Sequence, residues 1–326
     1  MSDATLPGVT LTAPRRMGHA AFWLAAAAVG LAVILALRGI GSEYVYFVST
    51  IVLQYVVLAT AWNILGGYAG YVNFGAAAFF AAGAYATVAF GKAMGLGLLP
   101  CIGLAAVVGG ALGFGTGVLT LRLRGAYFAI ATLCLSVVLQ TIVVNWSYVG
   151  GSRGAYVLRP RDVPWPFETY SGFLCAVLVV LAAASVAIAR TIETSRLGLG
   201  LAALRDDEQA AEATGVPTLR LKLVATTVSG AMMAVAGAPL PFIGSYVEPG
   251  SAFGLSYAVN AIAMPLIGGT SSWAGPLIGA VLLSSLQQAA TVTISSAANL
   301  LIVGVLLVVF VCAAPHGIIG LFRGRR

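Results

Sequence analysis

Few side chains in this sequence could do chemistry, and their spacing closes most of the options. Gly91 and Lys92 lie in the run Ala86-Thr-Val-Ala-Phe-Gly-Lys-Ala93. A phosphate-binding loop needs a hydroxyl residue after its lysine to hold magnesium, and Ala93 stands there instead. No His-Glu-x-x-His helix and no Gly-x-Ser-x-Gly elbow occurs, so neither zinc hydrolysis nor an activated serine has its usual frame. His19 and His316 stand at the outer edges of apolar runs, where an interfacial role is expected rather than a proton relay. Cys101, Cys134, Cys175 and Cys312 are scattered singly. None has Cys-x-x-Cys spacing, so all four are expected to be buried thiols used as small hydrophobes. The sequence therefore predicts no catalytic residue and no metal site. If ATP powers this protein, the ATPase is a separate chain.

What remains is charge gathered in two places. Arg190 to Lys222 carries ten charges in 33 residues. Within it, Leu201-Ala-Ala-Leu-Arg-Asp-Asp-Glu-Gln-Ala-Ala-Glu-Ala-Thr214 is rich in strong helix formers. Gly215 follows as the C′ residue, and Pro217 prevents continuation. A solvated connector would explain the charge alone. A short helix with charges and a small-residue face is also suited to docking on a soluble partner. The second segment, Ser147 to Ser171, carries Arg153, Arg159, Arg161, Asp162 and Glu168 with three prolines.

The elements that position these segments follow from composition. Of 326 residues, 60% are apolar and only 8% charged. A soluble domain carries roughly a quarter charged residues, so this chain cannot cover a water-facing surface. Disorder and a disulfide scaffold are excluded too. The net charge of +7 does not make a nucleic-acid surface, because the basic residues sit in short gaps between apolar runs.

The sequence predicts an all-α membrane protein, a polytopic bundle of about ten helices of roughly 20 residues each. The spans fall at Ala20–Leu37, Val45–Leu65, Ala76–Phe90, Gly97–Leu119, Ala126–Trp146, Gly172–Ala189, Leu223–Ile243, Tyr257–Ile267, Pro276–Ala290 and Ala298–Ala314. Continuous rather than alternating apolar runs exclude a barrel. With the N-terminus inside, the cytoplasmic segments hold twelve basic residues: Arg15, Arg16, Arg122, Arg124, Arg190, Arg196, Arg205, Arg220, Lys222, Arg323, Arg325 and Arg326. The outside holds five: Arg38, Lys92, Arg153, Arg159 and Arg161. The positive-inside rule favours this orientation. Residues 1–326 then form one transmembrane domain, with a cytoplasmic tail at 1–19, a periplasmic loop at 147–171, a cytoplasmic loop at 190–222 and a cytoplasmic C-terminus.

No charged residue is placed well inside a span, which disfavours a gradient-driven carrier built on intramembrane carboxylates. Neutral polar residues are placed there: Gln54, Asn63, Gln140, Asn145, Asn260, Gln287 and Gln288. They can bridge helices or line a cavity. Gly109, Gly113 and Gly117, and the pair Gly275 and Gly279, recur every four residues and are read as ridges for close helix packing. Gly66 to Gly75 and Gly244 to Gly254 interrupt apolar runs on opposite faces, a pattern that fits an inverted repeat as well as ordinary loops.

Four stretches carry a family resemblance. They are Leu65-Gly-Gly-Tyr-Ala-Gly-Tyr-Val-Asn-Phe-Gly-Ala-Ala-Ala-Phe-Phe80, Tyr127-Phe-Ala-Ile-Ala-Thr-Leu133, Gly150-Gly-Ser-Arg-Gly154, and the run from Leu204-Arg-Asp-Asp-Glu-Gln-Ala-Ala-Glu-Ala-Thr-Gly215 through Ile267-Gly-Gly-Thr-Ser-Ser-Trp-Ala-Gly-Pro276. The chain resembles the LivM-type permease subunit of branched-chain amino acid ABC importers. The resemblance implies a type II importer permease fold in the bacterial inner membrane. It also implies partners: a second, LivH-like permease subunit, two ABC ATPases and a periplasmic substrate-binding protein. ATP and Mg would be bound by the ATPases, with no cofactor in this chain. Arg205, Asp206, Asp207, Glu208, Ala210, Ala211, Glu212, Thr214 and Gly215 would form the ATPase-coupling element. Asn63, Tyr71, Asn73, Tyr127, Thr132 and Gln140 would line the translocation path. Arg153, Arg159, Arg161 and Glu168 would meet the binding protein. Two departures, Ala76 where the family often has His or Gln and Arg153 where it often has Asn, leave the solute open among branched-chain and other amino acids, urea, amides and aromatic acids.

Overall fold

The computed structural model describes residues 18–120, 123, 125–160, 163–164, 166–293, 301, 304–305, 308 and 317–322. The tail before residue 18, Arg122, Arg124, Arg161, Asp162, Cys312, His316, the three C-terminal arginines and nearly all of the expected span Ala298–Ala314 lie outside them.

The described chain is almost wholly helical. α1 (His19–Ile40), α2 (Glu43–Asn63), α3 (Ala76–Met94), α4 (Leu98–Thr120), α5 (Ala126–Val144) and α6 (Tyr170–Thr194) come first. Two shorter helices follow, α7 (Arg196–Asp206) and α8 (Glu208–Ala213). The chain continues through α9 (Thr218–Gly237), α10 (Leu240–Gly244), α11 (Pro249–Ala252), α12 (Leu255–Gly268), α13 (Ala274–Thr293) and α14 (Gly317–Phe322). Among the described residues, nine helical segments are long and apolar enough to cross a membrane. They match the first nine expected spans in order, with ends shifted by a few residues. The largest shift is at the eighth segment, Pro249–Gly268, which begins eight residues before Tyr257; α6 runs five residues past Ala189, and α9 starts five residues before Leu223 and ends six before Ile243.

α2 stands at the centre. Its second half, from Val56 to Asn63, is buried, and it touches α6, α9, α12 and α13. Lipid offers no hydrophobic drive between helices, so close packing and hydrogen bonds must hold the bundle. Gln54 Nε2 donates to Ala236 O at 2.9 Å, Ser229 Oγ to Ala61 O at 2.7 Å, and Gln287 Nε2 to Asn260 Oδ1 at 3.0 Å. Asn260 Nδ2 in turn donates to Tyr55 Oη at 3.3 Å. These neutral polar residues bridge helices. The Gly109-Gly113-Gly117 ridge of α4 lies along α9: a Cβ on Gly113 would sit 2.5 Å from Thr226 O. The Gly275 and Gly279 ridge of α13 meets α12 in the same way.

The segment from Leu201 to Thr214 is not the single helix the sequence suggests. The first helix begins at Arg196, capped by Ser195 Oγ accepting from Gly198 N at 3.3 Å. It ends at Asp207, whose backbone is extended at φ −158° and ψ 111°. The Asp207 carboxylate accepts from Gln209 N at 2.9 Å and Ala210 N at 3.1 Å, so it starts a second helix. N-capping by Asp outcompetes the helix propensity on either side. The thiol expectation also needs correction: Cys101 and Cys175 are buried, but Cys134 is exposed on the outer flank of α5.

The bundle has two chemically distinct ends. One carries α7 and α8. The other carries a two-stranded antiparallel sheet, β1 (Ala155–Tyr156) with β2 (Tyr246–Val247), pairing Ala155 with Val247. The glycine-rich segment 66–75 lies at the α7–α8 end, where Gly70 meets Arg205. The segment 244–254 lies at the sheet end, as expected of interruptions on opposite faces.

Candidate functional site

At the α7–α8 end, α2 does not stop cleanly. After Asn63 it widens into a π-helical turn, Ile64–Tyr68, the kind of irregularity that often marks functional sites. The loop that follows, with Tyr71 and Asn73 buried and Gly70 and Val72 exposed, leads into α3. Trp62 Nε1 donates to Asn73 O at 2.8 Å, and Phe74 N donates to Thr132 Oγ1 at 3.2 Å. Asn73 Oδ1 accepts from Gly75 N at 2.8 Å and so helps to start α3. Asn63 Nδ2 donates to Thr270 O at 3.2 Å, while its buried Oδ1 has no hydrogen-bond partner among the described residues.

The residues expected to line a path separate into two groups. Tyr71, Asn73 and Thr132 meet at this one loop, with Asn63 in the helix that feeds it, and all four are buried. Each is engaged with neighbouring protein groups. Tyr71 packs edge-on to Phe128, ring centres 5.2 Å apart. Tyr127 is instead 74% exposed, and Gln140 half-buried, both on α5.

The expected coupling residues also separate. Asp206, Asp207, Ala210, Glu212, Thr214 and Gly215 are exposed, whereas Ala211 is buried. Glu212 Oε1 accepts from Thr218 Oγ1 at 2.7 Å, tying α8 to the start of α9. Gly215 takes the left-handed conformation at φ 85°, which only glycine adopts without penalty, and its N–H closes α8 onto Glu212 O at 3.0 Å. Arg205 Nη1 donates to Gly67 O at 3.4 Å. Glu208 turns inward. Its side chain is 12% exposed, and its two oxygens accept from Lys222 Nζ and Tyr71 Oη.

Lys222 is the residue that sequence reasoning missed. Counted there as a loop charge, it lies in the second turn of α9 and is 5% exposed. Its Nζ also lies 4.6 Å from the Tyr71 ring centre. The available signal was its place between Leu221 and Leu223, at the edge of an apolar run. A second inward acid, Glu193, accepts from Trp273 N at 2.7 Å and from Tyr68 Oη at 3.4 Å. Beside it Arg190 stacks on Phe22, 3.8 Å from the ring centre.

At the sheet end, Arg159 is committed to the protein itself. Its Nε donates to Phe242 O at 2.8 Å and its Nη2 to Ile243 O, so the guanidinium satisfies the last carbonyls of α10. Arg153 and Glu168 are exposed, and Arg153 O accepts from Tyr246 Oη at 2.9 Å. Arg161 lies outside the described residues. Beneath this cap is an open cavity of about 590 Å³. Lys92, Tyr148 and the 154–158 segment are among its lining. Lys92 Nζ donates to Tyr148 O at 2.9 Å.

Residues 44–311 match the model of the family described as branched-chain amino acid transport system / permease component. The chain belongs to this family. It is 28% identical to the high-affinity branched-chain amino acid transport system permease protein LivM of Salmonella typhimurium. That alignment covers 85% of this chain and 70% of the relative. The LivM protein of Escherichia coli is 27% identical over the same shares. A probable branched-chain amino acid transport permease protein LivH of Methanocaldococcus jannaschii is 24% identical, over 59% of this chain and 63% of the relative. No solved structure matches the chain significantly. The match runs from the start of α2 past the end of α13 and includes the α7–α8 segment and the π-turn. The protein is thus a multi-pass membrane permease component and not an enzyme.

Proposed function

We propose that this chain is one transmembrane subunit of an ATP-driven importer, forming half of a pore for branched-chain amino acids. The observation that carries the reading is the family match across residues 44–311, which contains both ends of the bundle described above. The relatives' names supply the solute class.

The geometry fits the division of labour. α7 and α8 offer a hydrophilic, exposed ledge for an ATPase, with Gln209, Ala213 and Thr214 outward. This end faces the cytoplasm of a bacterial inner membrane, and the sheet end faces the periplasm and a substrate-binding protein. The exposed flank of α5, with Tyr127, Ile130, Val137 and Ile142, faces the second, LivH-like permease subunit. ATP and magnesium belong to the partner ATPases. Binding of nucleotide would draw the ATPases together and carry α7–α8 with them as a rigid body.

The test is reconstitution in liposomes. The complete set of permeases, ATPases and binding protein should accumulate radiolabelled L-leucine only with ATP inside. Downhill leucine flux through this chain alone, with no ATPase present, would instead establish a carrier or channel.

A further inference from the structure

One buried ion pair joins three elements that are far apart in sequence. Glu208 belongs to α8, Lys222 to α9 and Tyr71 to the loop between the π-turn and α3. The carboxylate takes the ammonium on one oxygen and the phenol on the other, and the ammonium also lies over the phenol ring. A few residues away, Arg205 reaches Gly67 O, and the backbone of Gly70 abuts the Arg205 side chain, where an added Cβ would lie 2.8 Å from Cγ. The loop is thus held from the α7–α8 side at two neighbouring points.

The physics of this arrangement is directional. Separating a buried charge pair without replacing it leaves two uncompensated charges, and the loss far exceeds that of an exposed pair. That pair fixes α8 to α9; the Tyr71 loop is joined to it by the phenol's charge-assisted hydrogen bond, which is costly to leave unmade in a buried place, so when α8 moves the cheaper response is for the Tyr71 loop to move with it. The π-turn Ile64–Tyr68 is the adjacent place where the backbone departs from α geometry. The far side of the loop leads directly into α3 at Ala76. A contiguous chain of packed groups therefore runs from the exposed ledge to the base of a spanning helix, as physical transmission between sites requires.

We propose that Lys222 and Tyr71 are positioning residues for coupling: through Glu208 they lash α8 to the 69–75 loop, so that movement of the ATPase ledge is delivered to α3. Glu208 then acts as an internal brace rather than an ATPase contact. This rests on the importer reading above.

The experiment uses the complete importer in lipid nanodiscs, with native cysteines replaced and a spin label at Val72→Cys, a partly exposed position in the loop. In the otherwise native complex, a non-hydrolysable ATP analogue should change the label's spectrum. Lys222→Met and Tyr71→Phe should abolish that change, and Lys222→Arg should keep it. In liposomes, Lys222→Met should still retain and turn over the ATPases while L-leucine moved per ATP falls about tenfold, within the usual range of site-to-site coupling. Tyr71→Phe removes a single oxygen, so a folding defect at Lys222 cannot imitate the result. A label response of equal size in all variants overturns the brace and leaves the importer reading standing. Failure of the native complex to retain any ATPase overturns both.

Discussion

A glycine matters in this bundle where another backbone occupies the place of its side chain. Gly237 of α9 lies against α3, and an added Cβ would sit 1.8 Å from Phe80 O. Gly115 of α4 has nothing within 4 Å of the same point. Gly237→Ala must therefore push α3 and α9 apart. A cost of about 1–3 kcal/mol is expected from such overpacking, seen as a lowered melting temperature in detergent. Gly115→Ala should melt like the parent, and equal melting of both variants would show that the α3–α9 contact is not close. Sequence spacing revealed the Gly109-Gly113-Gly117 ridge because a four-residue repeat is visible in one dimension. Gly237 carries no repeat, and its role is set by Phe80, which lies elsewhere in the chain. The same limit hid the Lys222 partner: nothing in the sequence brings Glu208 and Tyr71 to one ammonium group.

At the level of elements, Asp207 decides the form of the α7–α8 ledge. By accepting two backbone N–H groups it ends one helix and starts another. Losing such a cap costs about 1 kcal/mol, which is large for a helix of six residues. Asp207→Ala should raise hydrogen exchange at Gln209 and Ala210 and weaken ATPase retention on purification, while Asp207→Asn should preserve both. Unchanged exchange in the alanine variant would mean that α8 is held by Ala211 packing and the Glu208 brace alone. The cap was legible in principle, since Asp before Glu-Gln is a common helix start. It was outweighed by fourteen residues of strong helix formers read as one unit. The spans themselves were far easier to read. Their apolar runs need only length to be recognised, and α3 and α5 begin at the residues expected.

For the whole molecule, the property that decides the proposed importer is which end would face the ATPases. Arg190, Arg196, Arg205, Arg220 and Lys222 gather at the α7–α8 end; Arg38, Lys92, Arg153 and Arg159 gather at the sheet end. Among the described residues, that difference is small. Most of the bias comes from the termini and the α4–α5 connection, so the orientation rests on the positive-inside count over the whole sequence. It is nonetheless open to a direct test. Leu158 is 91% exposed at the sheet end, and Gln209 is exposed on α8. In a background with Cys101, Cys134, Cys175 and Cys312 replaced by alanine, single cysteines at these two positions report the two sides. A membrane-impermeant maleimide added to spheroplasts should label Leu158→Cys at once and Gln209→Cys only after lysis. The reverse order would put the α7–α8 ledge in the periplasm, where no ATPase could drive it. Both the importer mechanism and the brace from Glu208 to Tyr71 would then lose their source of force.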